Sequence, residues 1–250
     1  MTAPDSFRTL LTSGMPRVAV PFTDATSDEE LAEAISAGLD VAEIRIDLFA
    51  SAEPAVVLEQ VQRFGAAPTL ATIRSAAEGG GWTGTDADRL HLFEVVLAAV
   101  DAIDIELSSR AILAEVIAAA RTVGKPVIVS SHDFARTPPL EDLEAFVADA
   151  RAAGGDFAKV ATFAQEPADL ATLATLTIAH AGDGLIAVGM GELGPASRIF
   201  LPILGSALTY AAGREQLVSG QLSLAQTVAA LADLSPAYAA ASDERHTSEP

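Results

Sequence analysis
At 250 residues, half of them hydrophobic, the chain can bury a substantial core, and its net charge of −19 argues against nucleic acid, whose phosphates it would repel. It contains no cysteine, which excludes disulfides and thiolate metal sites. No uncharged apolar run reaches about 18 residues and the N-terminus lacks the pattern of a signal peptide, so the expectation is a cytoplasmic protein with no membrane partner.

Residues 1–15 read as a short leader with turn chemistry at Ser13-Gly14. After them, short β-type runs alternate with helical patterns. Strands are expected at 17–22, 41–49, 69–74, 102–107, 127–134, 156–163, 185–190 and 207–212. Helices are expected at 27–38, 52–64, 86–100, 109–123, 139–153, 166–181, 195–204 and 222–234. Ser27 ahead of Asp28-Glu29-Glu30 is a capping signal, and Gly124-Lys125-Pro126 closes a helix. Eight strand–helix units in this length predict a single-domain α/β fold, a (β/α)8 TIM barrel over residues 1–238. An open doubly wound sheet is the runner-up, and 239–250 is expected as a flexible polar tail.

A barrel places its chemistry at the C-terminal ends of its strands. In the second strand, period 2 sets Glu43, Arg45 and Asp47 on one face and Ile44, Ile46 and Leu48 on the other. The same alternation fits an edge strand with one wet face. In a barrel, which has no free edge, the charges point inward and must neutralise one another or bind a polar ligand. The third strand ends at Arg74 and leads through Glu78 into Gly79-Gly80-Gly81, which alone reads as linker. The fifth ends in Ser131-His132-Asp133. A lone histidine is more often structural, but this one sits at the expected catalytic rim. Of only two lysines, Lys125 lies in a turn and Lys159 in the apolar strand expected at 156–163. There it either extends its tip to water or becomes an amine nucleophile towards carbonyls.

Gly189-Met190-Gly191-Glu192-Leu193-Gly194 formally matches a dinucleotide fingerprint, but it follows the seventh strand, not the first. With Pro195 and Arg198 it reads better as an anion site at a helix N-terminus. The loop 213–221 is long enough for a lid, with Gln221 able to bind hydroxyls. The histidines are too scattered for a metal cluster. One amine, one imidazole with a carboxylate to orient it, and three arginines suit Schiff-base chemistry on a carbonyl compound that carries a carboxylate.

The stretches Glu43-Ile44-Arg45-Ile46-Asp47, Arg74 through Gly80, Ser131-His132-Asp133-Phe134, Ala158-Lys159-Val160-Ala161, Met190-Gly191 with Ser197-Arg198, and Gly220-Gln221 together resemble the type I 3-dehydroquinate dehydratase family. The resemblance implies dehydration of 3-dehydroquinate to 3-dehydroshikimate in the shikimate pathway. It implies an imine on Lys159, proton transfer by His132 held by Glu78, and Arg198 on the substrate carboxylate. Glu43, Arg45, Arg74 and Gln221 would contact the substrate's hydroxyls, and Met190 would pack beside the imine. It further implies a homodimer with no cofactor and no metal. Two positions depart from the family pattern: Pro21 and Leu217 stand where the family carries serines, removing two hydroxyls from the site, and Ser219 is placed to compensate. The rival readings are another Schiff-base aldolase, and a non-catalytic or altered-specificity barrel that binds a hydroxylated cyclic carboxylate.

Overall fold
The computed structural model describes residues 3–214 and 220–247. Eight parallel strands run in the order β7-β6-β5-β4-β3-β2-β1-β8: β1 (Val18–Phe22), β2 (Val41–Arg45), β3 (Thr69–Thr72), β4 (Ala102–Glu106), β5 (Val127–Asp133), β6 (Phe157–Phe163), β7 (Leu185–Met190) and β8 (Thr209–Tyr210). The ladder is continuous from β7 round to β8. The remaining gap is bridged where Ala207 N–H donates to Leu185 O at 2.8 Å. The result is the expected (β/α)8 barrel, nearly closed.

Helices cover the outside in alternation: α2 (Asp28–Ser36), α3 (Pro54–Gln62), α4 (Asp86–Val96), α5 (Leu113–Thr122), α6 (Leu140–Ala153), α7 (Pro167–Ala179), α8 (Gly194–Ile203) and α9 (Leu224–Leu234). Their starts follow from the sequence. Ser27, Thr85 and Ser223 each form a capping box with the residue three places on, and proline opens α3 and α7.

Two terminal segments differ from expectation. The leader is a helix, α1 (Ala3–Thr12), whose Phe7 and Leu11 are buried in one cluster with Val41, Leu70, Ala102, Ile128 and Ile186 at the strands' N-terminal ends. The helix therefore floors the barrel. Of the stretch 239–250 expected as a tail, 239–247 continue the helix α10 (Pro236–Thr247), whose Tyr238, just ahead of that stretch, is buried, and 248–250 lie outside the described residues. Three strands are shorter than expected by two residues or more, β3 stopping at Thr72 and β2 and β8 losing four each. β2 stops at Arg45 and a 3-10 turn, Ile46–Leu48, follows it. β8 keeps two ladder residues because Ala212 turns away to pair with Ser223.

At the floor, alternate strands are pinned by one device. Asp40, just before β2, donates its N–H to Val18 O and accepts the Val18 N–H on its carboxylate. Asp101 does the same to Thr69, and Asp156 to Val127. Ahead of β8, Ser206 Oγ takes the Ala187 N–H at 2.9 Å.

Candidate active site
The inward positions of the barrel form a layer that is polar where branched apolar side chains usually dominate. β2 supplies Glu43, β3 Thr72, β4 Asp104, β5 Ser130 and β6 Lys159, all buried. Above this layer opens a cavity of about 410 Å³. Glu43, Arg45, Arg74, Glu78, His132, Lys159, Met190, Arg198 and Gln221 all line it, so every candidate from the sequence meets in one place. Among the described residues, no group of three or more His, Cys, Asp or Glu is arranged to hold a metal ion.

Lys159 is only 4% exposed. Its surroundings are not the apolar ones its strand suggested. Its Nζ donates to Asp104 Oδ2 at 3.2 Å, lies 3.6 Å from Glu43 Oε1, and sits 4.2 Å from the centroid of the Tyr210 ring. Strand register sets Lys159 level with Ser130, which places His132 one inward step nearer the mouth.

Arg74 is saturated. It bonds Asp104 Oδ1 at 2.7 Å, Glu106 Oε1 at 2.9 Å and Ser130 Oγ at 2.7 Å. Burial alone would lower its pKa, but Asp104 and Glu106 outweigh burial and raise it. Burial would likewise raise Asp104, yet Arg74 and Lys159 hold its carboxyl far below the usual range. Arg89, reaching in from α4, bonds Glu106 at 2.5 Å and Ser109 at 2.8 Å. Arg45 donates from Nε and Nη2 to the two oxygens of Asp47 at 2.9 and 2.7 Å, and Asp47 also accepts the Gly81 N–H. Four basic groups (Lys159, Arg45, Arg74, Arg89) thus face four carboxyl groups (Glu43, Asp47, Asp104, Glu106), and their formal charges balance.

Two charged features of the site are separate from this balance. The first is a histidine–carboxylate pair. Glu78 Oε2 accepts the His132 backbone N–H at 2.9 Å and lies 3.0 Å from Nδ1, while Oε1 accepts from Ser108 Oγ. The carboxylate makes Nδ1 the protonated nitrogen and leaves Nε2 basic. Burial, then Arg74 and Lys159, push the imidazole well below its ordinary pKa, so it is neutral. Burial raises Glu78 above the usual carboxylate range. The second feature is Arg198, which among the described residues bonds only backbone oxygens, Gly189 O at 2.7 Å and Gly220 O at 2.8 Å. Its Nε is buried without a partner among the described residues, and burial lowers its pKa to about 10. A buried cation with no carboxylate beside it is a receptor for an anion.

Local chain geometry holds these groups. After Arg74 the chain enters a 3-10 turn, Ala76–Glu78, which delivers Glu78 to His132. The glycines that follow are required by packing. A Cβ on Gly80 would lie 2.0 Å from Arg74 O, and Gly79, at φ +76°, would meet the Phe134 ring at 2.5 Å. That ring in turn stacks on His132.

Sequence reasoning missed Asp104, Glu106, Arg89 and Tyr210. Ala102-Ile103-Asp104-Ile105-Glu106 carries the same charged alternation as β2 and could have marked the first two. Arg89 looks like any helical surface arginine, and nothing in the sequence distinguishes it. Pro21 does line the cavity, and it brings no donor. Leu217 and Ser219 lie outside the described residues.

A model of the type I 3-dehydroquinase family matches residues 17–236. The 3-dehydroquinate dehydratase of Methanosarcina barkeri is 39% identical over 189 residues, which span 72% of this chain and 78% of that protein. The crystal structure of the 3-dehydroquinate dehydratase of Aquifex aeolicus superposes with a TM-score of 0.80 at 31% identity, over 88% of this chain and 99% of that one. The type I enzyme of Clostridium difficile, solved with covalently modified comenic acid, gives 0.80 at 30% identity over 88% and 92%.

Proposed function
Since the chain belongs to the type I 3-dehydroquinase family, we propose that its hydro-lyase reaction, 3-dehydroquinate to 3-dehydroshikimate and water, runs through an imine on Lys159. The observation that carries this reading is the buried Lys159 at the base of a cavity whose rim bears His132 and Glu78.

The chemistry proceeds in balanced steps. Lys159 passes one proton to Nε2 of His132 and adds as the free amine to the ring ketone; that proton then returns to the carbinolamine hydroxyl, which leaves as water and gives a protonated imine. Nε2 of the neutral His132 takes a proton from the adjacent carbon, and the electron pair moves into the iminium to give an enamine. The enamine pushes out the hydroxyl one carbon further on, which leaves as water with the proton from His132. Hydrolysis of the product imine frees 3-dehydroshikimate and restores the amine. Glu78 steadies the imidazole and its charged form. Arg198 takes the substrate carboxylate, Glu43, Arg45, Arg74 and Gln221 bound its hydroxyls, and Met190 packs beside the imine. The enzyme acts in the cytoplasm as a homodimer, a state that sedimentation equilibrium would refute by reporting a monomer at working concentrations. The catalytic unit is residues 1–238.

Borohydride reduction in the presence of 3-dehydroquinate, followed by mass mapping, tests the central step. The expected outcome is inactivation with the adduct on Lys159 and none in Lys159→Ala. An adduct on another residue, or turnover by Lys159→Ala near the wild-type rate, would sink the mechanism.

A further inference from the structure
Tyr210 is the inward residue of β8 and only 6% exposed. Its hydroxyl is buried, and no hydrogen-bond partner meets it among the described residues. Leaving such a group unpaired lowers stability, and native proteins rarely do so without a use for the group. Its ring face lies under Lys159 Nζ, and the residue lines the same cavity as Arg198, Glu43 and Gln221. Whatever becomes bonded to that nitrogen therefore rests beside the ring that carries this hydroxyl. Thr209 Oγ1 ties the strand to the carbonyl of Arg198 at 2.8 Å, which fixes Tyr210 relative to the anion receptor. On the neighbouring strand β1, Ala19 is in register with Tyr210, and Pro21, the next inward residue, offers no donor to the cavity. Burial, then Glu43 and Asp104, push the phenol pKa well above its ordinary value, so the group stays a donor across the working range.

We propose that Tyr210 is a further substrate-binding residue, its phenol O–H donating to an oxygen of the hydroxylated cyclic acid held between Lys159 and Arg198. This rests on the dehydratase reading above. The ring places the residue at the reacting nitrogen, and the hydroxyl reads the ligand. The contact is present in ground and transition states alike, so it acts on binding and leaves the chemical step alone.

The test compares wild type with Tyr210→Phe, which keeps the ring and removes only the hydroxyl. Steady-state dehydration of 3-dehydroquinate gives kcat and KM. Thermal unfolding with and without 3-dehydroshikimate gives the ligand-induced rise in Tm. The proposal expects KM to rise about five-fold with kcat within about two-fold. It also expects a smaller ligand-induced Tm rise and an unliganded Tm equal to or above that of wild type, because an unpaired buried hydroxyl has been removed. An active Tyr210→Phe enzyme with wild-type KM and ligand response would overturn the proposal. So would a lowered unliganded Tm with unchanged KM, which would make the hydroxyl structural. Wild type that fails to turn over 3-dehydroquinate would instead bring down the dehydratase reading, and this proposal with it.

Discussion
Arg74 and Arg198 are both buried guanidinium groups on one cavity, yet their charges are treated in opposite ways. Arg74 is neutralised by Asp104 and Glu106, and its role in the free protein is to order the strand ends. Among the described residues Arg198 has only carbonyl oxygens for company, which suits the anion-binding role proposed for it. Removing it should therefore affect binding far more than folding. For Arg198→Ala we expect KM for 3-dehydroquinate to rise roughly 10- to 100-fold, the range for a hydrogen bond to a charged group, with a smaller change in kcat. Steady-state kinetics checks this, and an unaltered KM would reassign the anion site. The sequence made Arg198 legible through its place after a glycine-rich turn at a helix start. It could not reveal that Arg74 is saturated, because the two carboxylates responsible lie about thirty residues further along, on β4.

Among elements, the strands were easier to locate than to delimit. Short β-type apolar runs located all eight, and on β2 the alternation of charged with apolar residues told inward from outward. It overran β2, where the outward set Ile44, Ile46 and Leu48 continues into a 3-10 turn. It misread α1 because Phe7 and Leu11, one helical turn apart, are too few to announce a buried face. The aspartate pins ahead of β2, β4 and β6 explain where three strands begin. Each satisfies the first N–H of the preceding strand, a donor at the open lower end of the ladder. Replacing Asp101 by alanine strands the Thr69 N–H and removes the bond from Thr69 Oγ1. The expected cost is about 1–3 kcal/mol, and Tm should fall by several degrees while kcat stays at the wild-type value. Calorimetry beside an activity assay checks it. A loss of activity without a loss of Tm would mean that the floor communicates with the mouth.

For the molecule as a whole, the buried charges make stability a function of pH. His132 is held below its ordinary pKa by burial and by Arg74 and Lys159, so the unfolded chain binds that proton more readily. Its contribution is present above the unfolded value, about 6.5, and is lost as pH falls through the folded one. Asp104 and Glu106 are buried, yet neighbouring cations lower both, and they add a second loss below about pH 4. Glu78, raised by burial, works in reverse and loses its contribution as pH rises. Denaturant midpoints should fall from about pH 7.5 to about pH 5.5, and by less in His132→Gln. Equal falls in the two proteins would show that His132 does not carry the effect.

The helix across the strands' lower ends has a kinetic meaning too. With Phe7 and Leu11 stopping the barrel from beneath, the described residues leave the cavity its way in at the strands' C-terminal ends. On the imine mechanism proposed above, reactant, eliminated water and organic product share that way, and the water that cleaves the last imine comes in along the path by which the product leaves.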